Sequence, residues 1–323
     1  MVRYVIRRLL WAVVLFLAVT IVTYLIFFLI PINTARLVAG KSATPAEVKA
    51  VAHQLYLDRP IYVQYGHFLY QLVWQHSLGY SFNNRQSVNS AIFAAAPVTA
   101  SLVLGGAIVW MLIAVPVGIL SALRPRSALD RVSMVGVLTG ISAHPVWIGL
   151  MASYIFGYKL NLLPIQGYCN LRGAAPGQAC GGPVDWFTHM LMPWLVFAVL
   201  YSAFYVRMIR ANVMETLNED YVRTARAKGA PESIVMRRHV LRNAMLPVVT
   251  MLGMDIAIAL GGAVLIENVF GLPGLGNLAI QSVYQFDLPT VVGVTVFASL
   301  CVIVFNLLVD LLYAWIDPRI RLA

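Results

Sequence analysis

The stretch Asp220–Asn243, DYVRTARAKGAPESIVMRRHVLRN, holds six Lys or Arg residues between two apolar runs, Phe187–Val206 and Leu246–Ile266. Residues Glu215 to Lys228 contain no Pro or Gly and predict a helix. Gly229 then stands where a helix C-cap wants glycine. Pro231 and Glu232 suit the opening turn of a second helix, Glu232 because its charge favours that end. That second helix continues through the apolar Ile234, Val235 and Met236. A merely solvated basic loop has no need of a capped break or of those apolar residues. The stretch therefore predicts helix, sharp turn and short helix beside an apolar layer.

The rest of the chain identifies that layer. Of 323 residues, 60% are hydrophobic and 11% charged, and the mean hydropathy is +0.78. A soluble domain carries about 25% charged residues, so lipid is the expected solvent. Six segments are long enough to span: Leu9–Ile30, Val98–Ala122, Val132–Tyr158, Phe187–Val206, Leu246–Ile266 and Thr290–Trp315. The reading is an all-α polytopic membrane protein. The first segment is too long for a signal peptide and reads as a mature anchor.

The net charge of +10 reads as topology rather than nucleic-acid binding. With the N-terminus inside, sixteen of the 23 Lys and Arg fall in inner segments, including Arg3, Arg124, Arg223 and Arg319. Both termini and the 215–243 loop are then expected in the cytoplasm. The organisation predicted is an N-terminal segment and first span over 1–30, an extracytoplasmic helical segment over 31–97, and a core domain with five spans over 98–323.

The segment from Pro31 to Pro97 is too long for an unstructured connection. Thr44-Pro45-Ala46-Glu47 spells an N-cap, a first-turn proline and a capping-box acid. Ile61, Tyr65, Phe68 and Leu72 mark one face of a second helix, expected to pack on the bundle. The next outer loop, YCNLRGAAPGQACGGP, places Cys169 and Cys180 in an oxidising compartment and predicts a disulfide. Cys301 reads as a small buried hydrophobe. Pro116 with Gly118, and His144 with Pro145, predict interrupted helices. Gly253, Ala257 and Gly261 form a small-residue row for close helix packing.

Catalytic signals are absent. ARLVAGKS at Ala35–Ser42 nearly spells a phosphate-binding loop, but Ala35 stands where the motif needs glycine. The six His are scattered, and no metal cluster or nucleophile–base arrangement stands out. Asp255, Glu267 and Asp310 are carboxylates in or beside spans and are functional candidates for that reason. On one continuous helix Asp255 and Glu267 would diverge by about 120°, so they predict no paired site.

Thr224-Ala225-Arg226-Ala227-Lys228-Gly229 resembles the EAA loop of bacterial ABC importer permeases, in the form seen in peptide permeases. The start MVRYVIRRLL, the run ENVFGLPGLGNLAIQSVYQFDLP at Glu267–Pro289 and the tail NLLVDLLYAWIDPRIR at Asn306–Arg321 are similar to the B-type dipeptide/oligopeptide permease subunit. The chain departs from the pattern at Arg223, where the family has Glu, and CNLRGAAPGQAC looks like an insertion.

The resemblance implies a type I importer permease fold with a cytoplasmic coupling helix. It implies a coupling surface on Asp220, Tyr221, Thr224, Ala225, Ala227, Lys228, Gly229, Ala230, Pro231 and Glu232. Ala225, Ala227 and Gly229 would allow close approach to an ATPase. The outer run, with Glu267, Phe270, Gly271, Pro273, Gly274 and Gly276, could form a re-entrant gate. The implied partners are a second homologous permease subunit, two cytoplasmic ABC ATPase subunits or domains, an extracytoplasmic peptide-binding protein and the lipid bilayer. No cofactor is expected on this chain, since ATP and Mg²⁺ belong to the ATPases, and no metal. Two alternatives stay open. One is the same machine with another cargo, such as nickel chelates, haem or another small solute. The other is a proton-coupled secondary transporter leaning on Asp255, Glu267 or His144.

Overall fold

The computed structural model describes residues 2–29, 35–36, 43–54, 58–81, 83–173, 180–261 and 263–316. In order, its helices are α1 (Val2–Leu29), α2 (Pro45–Gln54), α3 (Ile61–Trp74), α4 (Val88–Leu123), α5 (Ala128–Ser142), α6 (Pro145–Lys159), α7 (Pro183–Leu217), α8 (Asp220–Ala227), α9 (Glu232–Ala244), α10 (Leu246–Leu260), α11 (Val264–Val269), α12 (Leu275–Tyr284) and α13 (Leu288–Ile316). A two-residue hairpin pairs Tyr80–Ser81 with Gln86–Ser87. The chain divides into two units, residues 1–97 with 278–304 and residues 98–277 with 305–323.

In the first unit the Thr44 signal works as spelled. The Glu47 carboxylate accepts the Thr44 backbone N–H at 2.7 Å, and Thr44 Oγ1 accepts the Glu47 N–H at 3.4 Å. The predicted face of α3 packs on α1. Tyr65 donates or accepts a 2.9 Å bond with Thr20 and sets its ring edge-on to Tyr24. Tyr62 and Trp74 lie on the exposed side of α3. Asp287, just before α13, is buried and accepts from Ser81 at 2.5 Å and from Thr290 at 2.7 Å. The hairpin is thereby tied to the start of α13.

In the second unit Trp110, Met190, Phe197, Tyr205 and Ile209 are buried in the core. α7 packs on α4 at two adjacent glycines. A Cβ at Gly105 would collide with the Trp194 indole, and one at Gly106 with the Phe197 ring. Trp194 Nε1 donates to the Ser101 carbonyl at 2.9 Å, so its polar edge is satisfied inside the contact. α5 is fastened to α7 by Arg210, which forks onto Asp130 through Nε at 2.7 Å and Nη2 at 3.0 Å.

Several expected boundaries move. α4 starts at Val88, ten residues before the expected span, and runs unbroken through Pro116. The hydrogen bond lost at that proline is outweighed by packing on both sides, with Trp110 and Ala114 buried before it and Gly118 against Ile209 after it. His144-Pro145 does break its helix. The Ser142 end of α5 stops there, the His144 ring nitrogen caps Val146, and Pro145 opens α6. The expected span Val132–Tyr158 is thus a bent pair. The expected span Leu246–Ile266 is likewise interrupted between Leu260 and Val264, so Asp255 and Glu267 stand on different helices. Among the described residues four helices are long and apolar enough to cross a membrane, or up to six if each bent pair is one span. Residues 37–42 of the near-phosphate-loop, the interior of the cysteine loop at 174–179 and the Asp310 side chain lie outside the description.

Candidate functional site

α7 leads directly into the opening stretch. It ends at Leu217, with Asn218 as its C-cap, and Glu219 turns the chain before α8 begins at Asp220. The single helix expected over Glu215–Lys228 is therefore two. Asn218 explains the stop, because its side chain bonds back to the Met214 carbonyl at 2.9 Å and competes with helix continuation.

α8 is one two-turn helix with opposed faces. Val222 is its one fully buried residue, and Ala225 is half-buried against the core. Asp220, Tyr221, Arg223, Thr224, Arg226, Ala227 and Lys228 are exposed. The helix closes in a complete Schellman turn. The Gly229 N–H reaches the Arg226 carbonyl at 2.9 Å, and the Ala230 N–H reaches the Ala225 carbonyl at 3.2 Å. Gly229 has φ +78°, the left-handed region that glycine adopts most easily. A Cβ there would meet nothing within 4 Å. Within this chain, glycine is needed for backbone conformation and not for close approach.

The turn is braced from both sides. Arg226 forks onto Glu232, with Nη2 2.7 Å from Oε1 and Nε 3.1 Å from Oε2. The pair holds the Glu232 carboxyl below its ordinary range and the Arg226 guanidinium above its own, in each case chiefly through the hydrogen bond. Asn243 Nδ2 donates to Tyr221 Oη at 2.9 Å, pinning the exposed side of α8 to the end of α9. Val235, Val240 and Ala244 bury the inner side of α9. The result is a short helix seated on a packed base with a bare polar face. Such a surface suits a protein partner, and its exposed Arg223–Asp220 contact at 3.8 Å is too long and too open to fix anything.

The residues expected at a gate form an ordered turn between α11 and α12. Glu267 is fully buried at its centre. Its Oε1 accepts from Thr99 Oγ1 at 2.6 Å, and its Oε2 accepts the Asn277 N–H at 2.9 Å. Thr99 Oγ1 in turn accepts the Leu275 N–H at 2.8 Å. A Cβ at Gly274 would collide with the Glu267 carboxylate, and one at Gly276 with Val264. Phe270 is buried, and its carbonyl accepts the Gly167 N–H at 2.8 Å. Gly271, at φ +61°, carries the chain toward Pro273. Glu267 thus organises the backbone of this run. Thr99 gave no sequence signal, because it belongs to no motif and acts from 168 positions away. Asn277 lies within the outer run, ten positions from Glu267, but nothing in that run marked it as the partner.

Cys169 and Cys180 are bonded to each other, with Cα atoms 5.5 Å apart. His189 lies beside them, its ring 3.4 Å from Cys169 Sγ. These three are brought together by the fold and not by spacing. As a disulfide the pair has no thiolate to offer a metal. The small-residue row also meets a partner: a Cβ at Gly253 would collide with Val309 of α13. Of the three candidate relay residues, His144 caps α6, Glu267 holds its turn, and Asp255 accepts from Tyr205 at 2.6 Å.

Residues 114–322 match the family described as the binding-protein-dependent transport system inner membrane component, and residues 1–103 match its N-terminal component. A Brucella suis biovar 1 relative, provisionally named a peptide permease protein, is 40% identical over 324 residues, covering 99% of each chain. The dipeptide transport system permease protein DppB of Alkalihalophilus pseudofirmus is 34% identical, over 99% of this chain and 100% of that one. Escherichia coli K12 DdpB, provisionally named a D,D-dipeptide transport system permease protein, is 36% identical over 98% of this chain and 97% of its own. Among solved structures, an amino acid ABC transporter crystallised with histidines aligns at TM-score 0.53 and 15% identity. It covers 70% of this chain and 94% of that one, and so shares the fold. With its apolar helices and its matches along nearly the whole length, this chain belongs to the family of binding-protein-dependent transport system inner membrane components and is a multi-pass inner-membrane permease subunit.

Proposed function

We propose that this chain forms half of the passage of an ATP-driven importer that carries di- to oligopeptides across the bacterial inner membrane by alternating access. The observation that carries the cargo is the near full-length likeness to relatives named as dipeptide and peptide permeases. The fold reading is a type I permease with six spans, each bent pair counting as one, and both termini cytoplasmic. The concentration of basic residues in the inner segments supports that orientation.

In this reading α8 and its Schellman turn are the coupling element. A second homologous permease subunit completes the passage, two ABC ATPase subunits or domains grip the exposed face of α8, and an extracytoplasmic binding protein delivers peptide. ATP and Mg²⁺ are bound by the ATPases. Switching a two-state passage from 1:99 to 99:1 takes about 5.5 kcal/mol of differential interaction. An exposed ion pair contributes roughly 0–1 kcal/mol. Shape, set by the fixed turn at Gly229, therefore transmits the switch better than the exposed arginines do. The Glu267–Gly276 turn is the proposed outer gate, moving as one hydrogen-bonded block.

The test is reconstitution with the ATPases, the second permease subunit and the binding protein. Peptide-stimulated ATP hydrolysis that requires the binding protein is the expected result. Stimulation by a nickel chelate or haem and not by peptides would replace the cargo. Transport driven by a proton gradient without ATPases would replace the whole reading.

A further inference from the structure

Asp255 stands on α10, inside a stretch apolar enough to cross a membrane as part of a bent pair. Its Oδ2 accepts the Tyr205 hydroxyl at 2.6 Å. Among the described residues its other oxygen accepts nothing, and no Lys, Arg or His pairs with it. The residue is half-buried, so part of it is open. A carboxylate left uncompensated at this depth is costly unless it faces water or meets a cation from outside the chain.

Its surroundings suit a cation. Tyr205 belongs to a stack in which Trp110 and Tyr201 lie 4.6 Å apart and Trp110 and Tyr205 lie 6.0 Å apart, with Phe197 5.0 Å from Tyr201. Tyr201 is half-buried and within electrostatic reach of the Asp255 carboxylate. Aromatic faces attract ammonium groups. Trp110 Nε1 adds a further sign of incompleteness. Among the described residues it is the one buried side-chain nitrogen or oxygen without a hydrogen-bond partner. Buried polar groups are nearly always paired, so this exception makes the cluster around Asp255 the least satisfied polar spot among the described residues.

We propose that Asp255, positioned by Tyr205 and flanked by Tyr201, receives the N-terminal ammonium of a peptide in transit. Every unmodified peptide carries that group whatever its side chains. One carboxylate can therefore hold the cargo in register without reading its sequence. The inference rests on the peptide reading above.

The experiment is equilibrium binding of a dipeptide, and of its analogue lacking the α-amino group, to the purified importer without the binding protein. Import with the binding protein is measured in parallel. In the wild type the free dipeptide binds about tenfold or more tightly than the analogue, as a charge-assisted hydrogen bond would give. Asp255→Asn removes that difference, Asp255→Glu restores part of it, and affinity for the analogue stays unchanged. Equal binding of both ligands by the wild type, or an unchanged preference in Asp255→Asn, overturns the inference while leaving peptide import standing. So does loss of the permease pair in both variants, which would assign the carboxylate to the subunit interface. A wild-type assembly that imports no peptide with its binding protein sinks the cargo reading itself.

Discussion

Arg226 and Glu232 clasp across the turn at Gly229, guanidinium Nη2 to carboxylate Oε1 at 2.7 Å, and so join the last turn of α8 to the first turn of α9. Both side chains are open to solvent, so the clasp orients the turn more than it stabilises it. Glu232→Gln is expected to leave uptake within about twofold, because the Schellman bonds remain. The Glu232 carboxyl is held low, so the clasp is present at neutral pH and is lost as pH falls below the ordinary carboxylate range. Hydrogen exchange of residues 226–232 across that window checks both points.

Gly229→Ala adds a methyl that touches nothing but forces an L side chain into left-handed geometry, at about 1–2 kcal/mol of the turn's stability. Gly229→Asp adds a charge on the face proposed to meet the ATPase. Membrane insertion of both variants is expected to be normal. Co-purified ATPase and uptake are expected to fall modestly for Gly229→Ala and to be lost for Gly229→Asp. Normal peptide uptake by Gly229→Asp removes α8 and its turn from the coupling role.

Asp130 is buried and its only ion-pair partner among the described residues is Arg210. Arg210→Ala removes the fork and leaves the carboxylate with the Arg126 N–H, so it is expected to destabilise the α5–α7 contact. Arg210→Lys keeps the charge but not the fork. Thermal unfolding in detergent is expected to rank wild type, Arg210→Lys and Arg210→Ala in that order.

Glu267→Gln replaces one acceptor oxygen with a donor facing Thr99 Oγ1–H or the Asn277 N–H. One of those bonds is lost, at about 1–3 kcal/mol. Faster hydrogen exchange confined to residues 270–277 is the expected signature. Unchanged exchange there shows that the turn holds without its central carboxylate.

Joining Cys169 to Cys180 closes a loop of sequence separation 11, a restraint on the order of 3 kcal/mol in the chain-entropy model. The intact mass without reductant is expected to be two hydrogens below the thiol form. Reduction is expected to lower the unfolding temperature without dispersing the complex.

The sequence made local features legible where one residue acts on its neighbours. The Thr44–Glu47 box, the break at His144-Pro145 and the glycine turn at 229 are all chemistry within a few residues. Pro116 misled because a proline's local cost is set against packing by residues far along the chain, here Ile209 on Gly118. The Glu215–Lys228 helix was over-extended because the stop comes from one Asn side chain returning to its own backbone, a choice that composition does not reveal. Thr99 on Glu267, Arg210 on Asp130 and Tyr205 on Asp255 are separated by 168, 80 and 50 positions. No spacing rule reaches that far. Each needed the fold before its partner had a name.

α7 is a single run of 35 residues from Pro183, next to the disulfide-closed loop, to Leu217, just before α8. At about 1.5 Å per residue it is a rod about 52 Å long. Its one interior proline, Pro193, lies in the first third, and the residues beyond it are the most densely buried part of the helix. A tilt of about 10° at the Asn218 end would swing the far end through about 9 Å by lever arithmetic alone. A pull on α8 needs no chain of side-chain rearrangements to be felt beside the disulfide-closed loop, because one continuous helix joins the two.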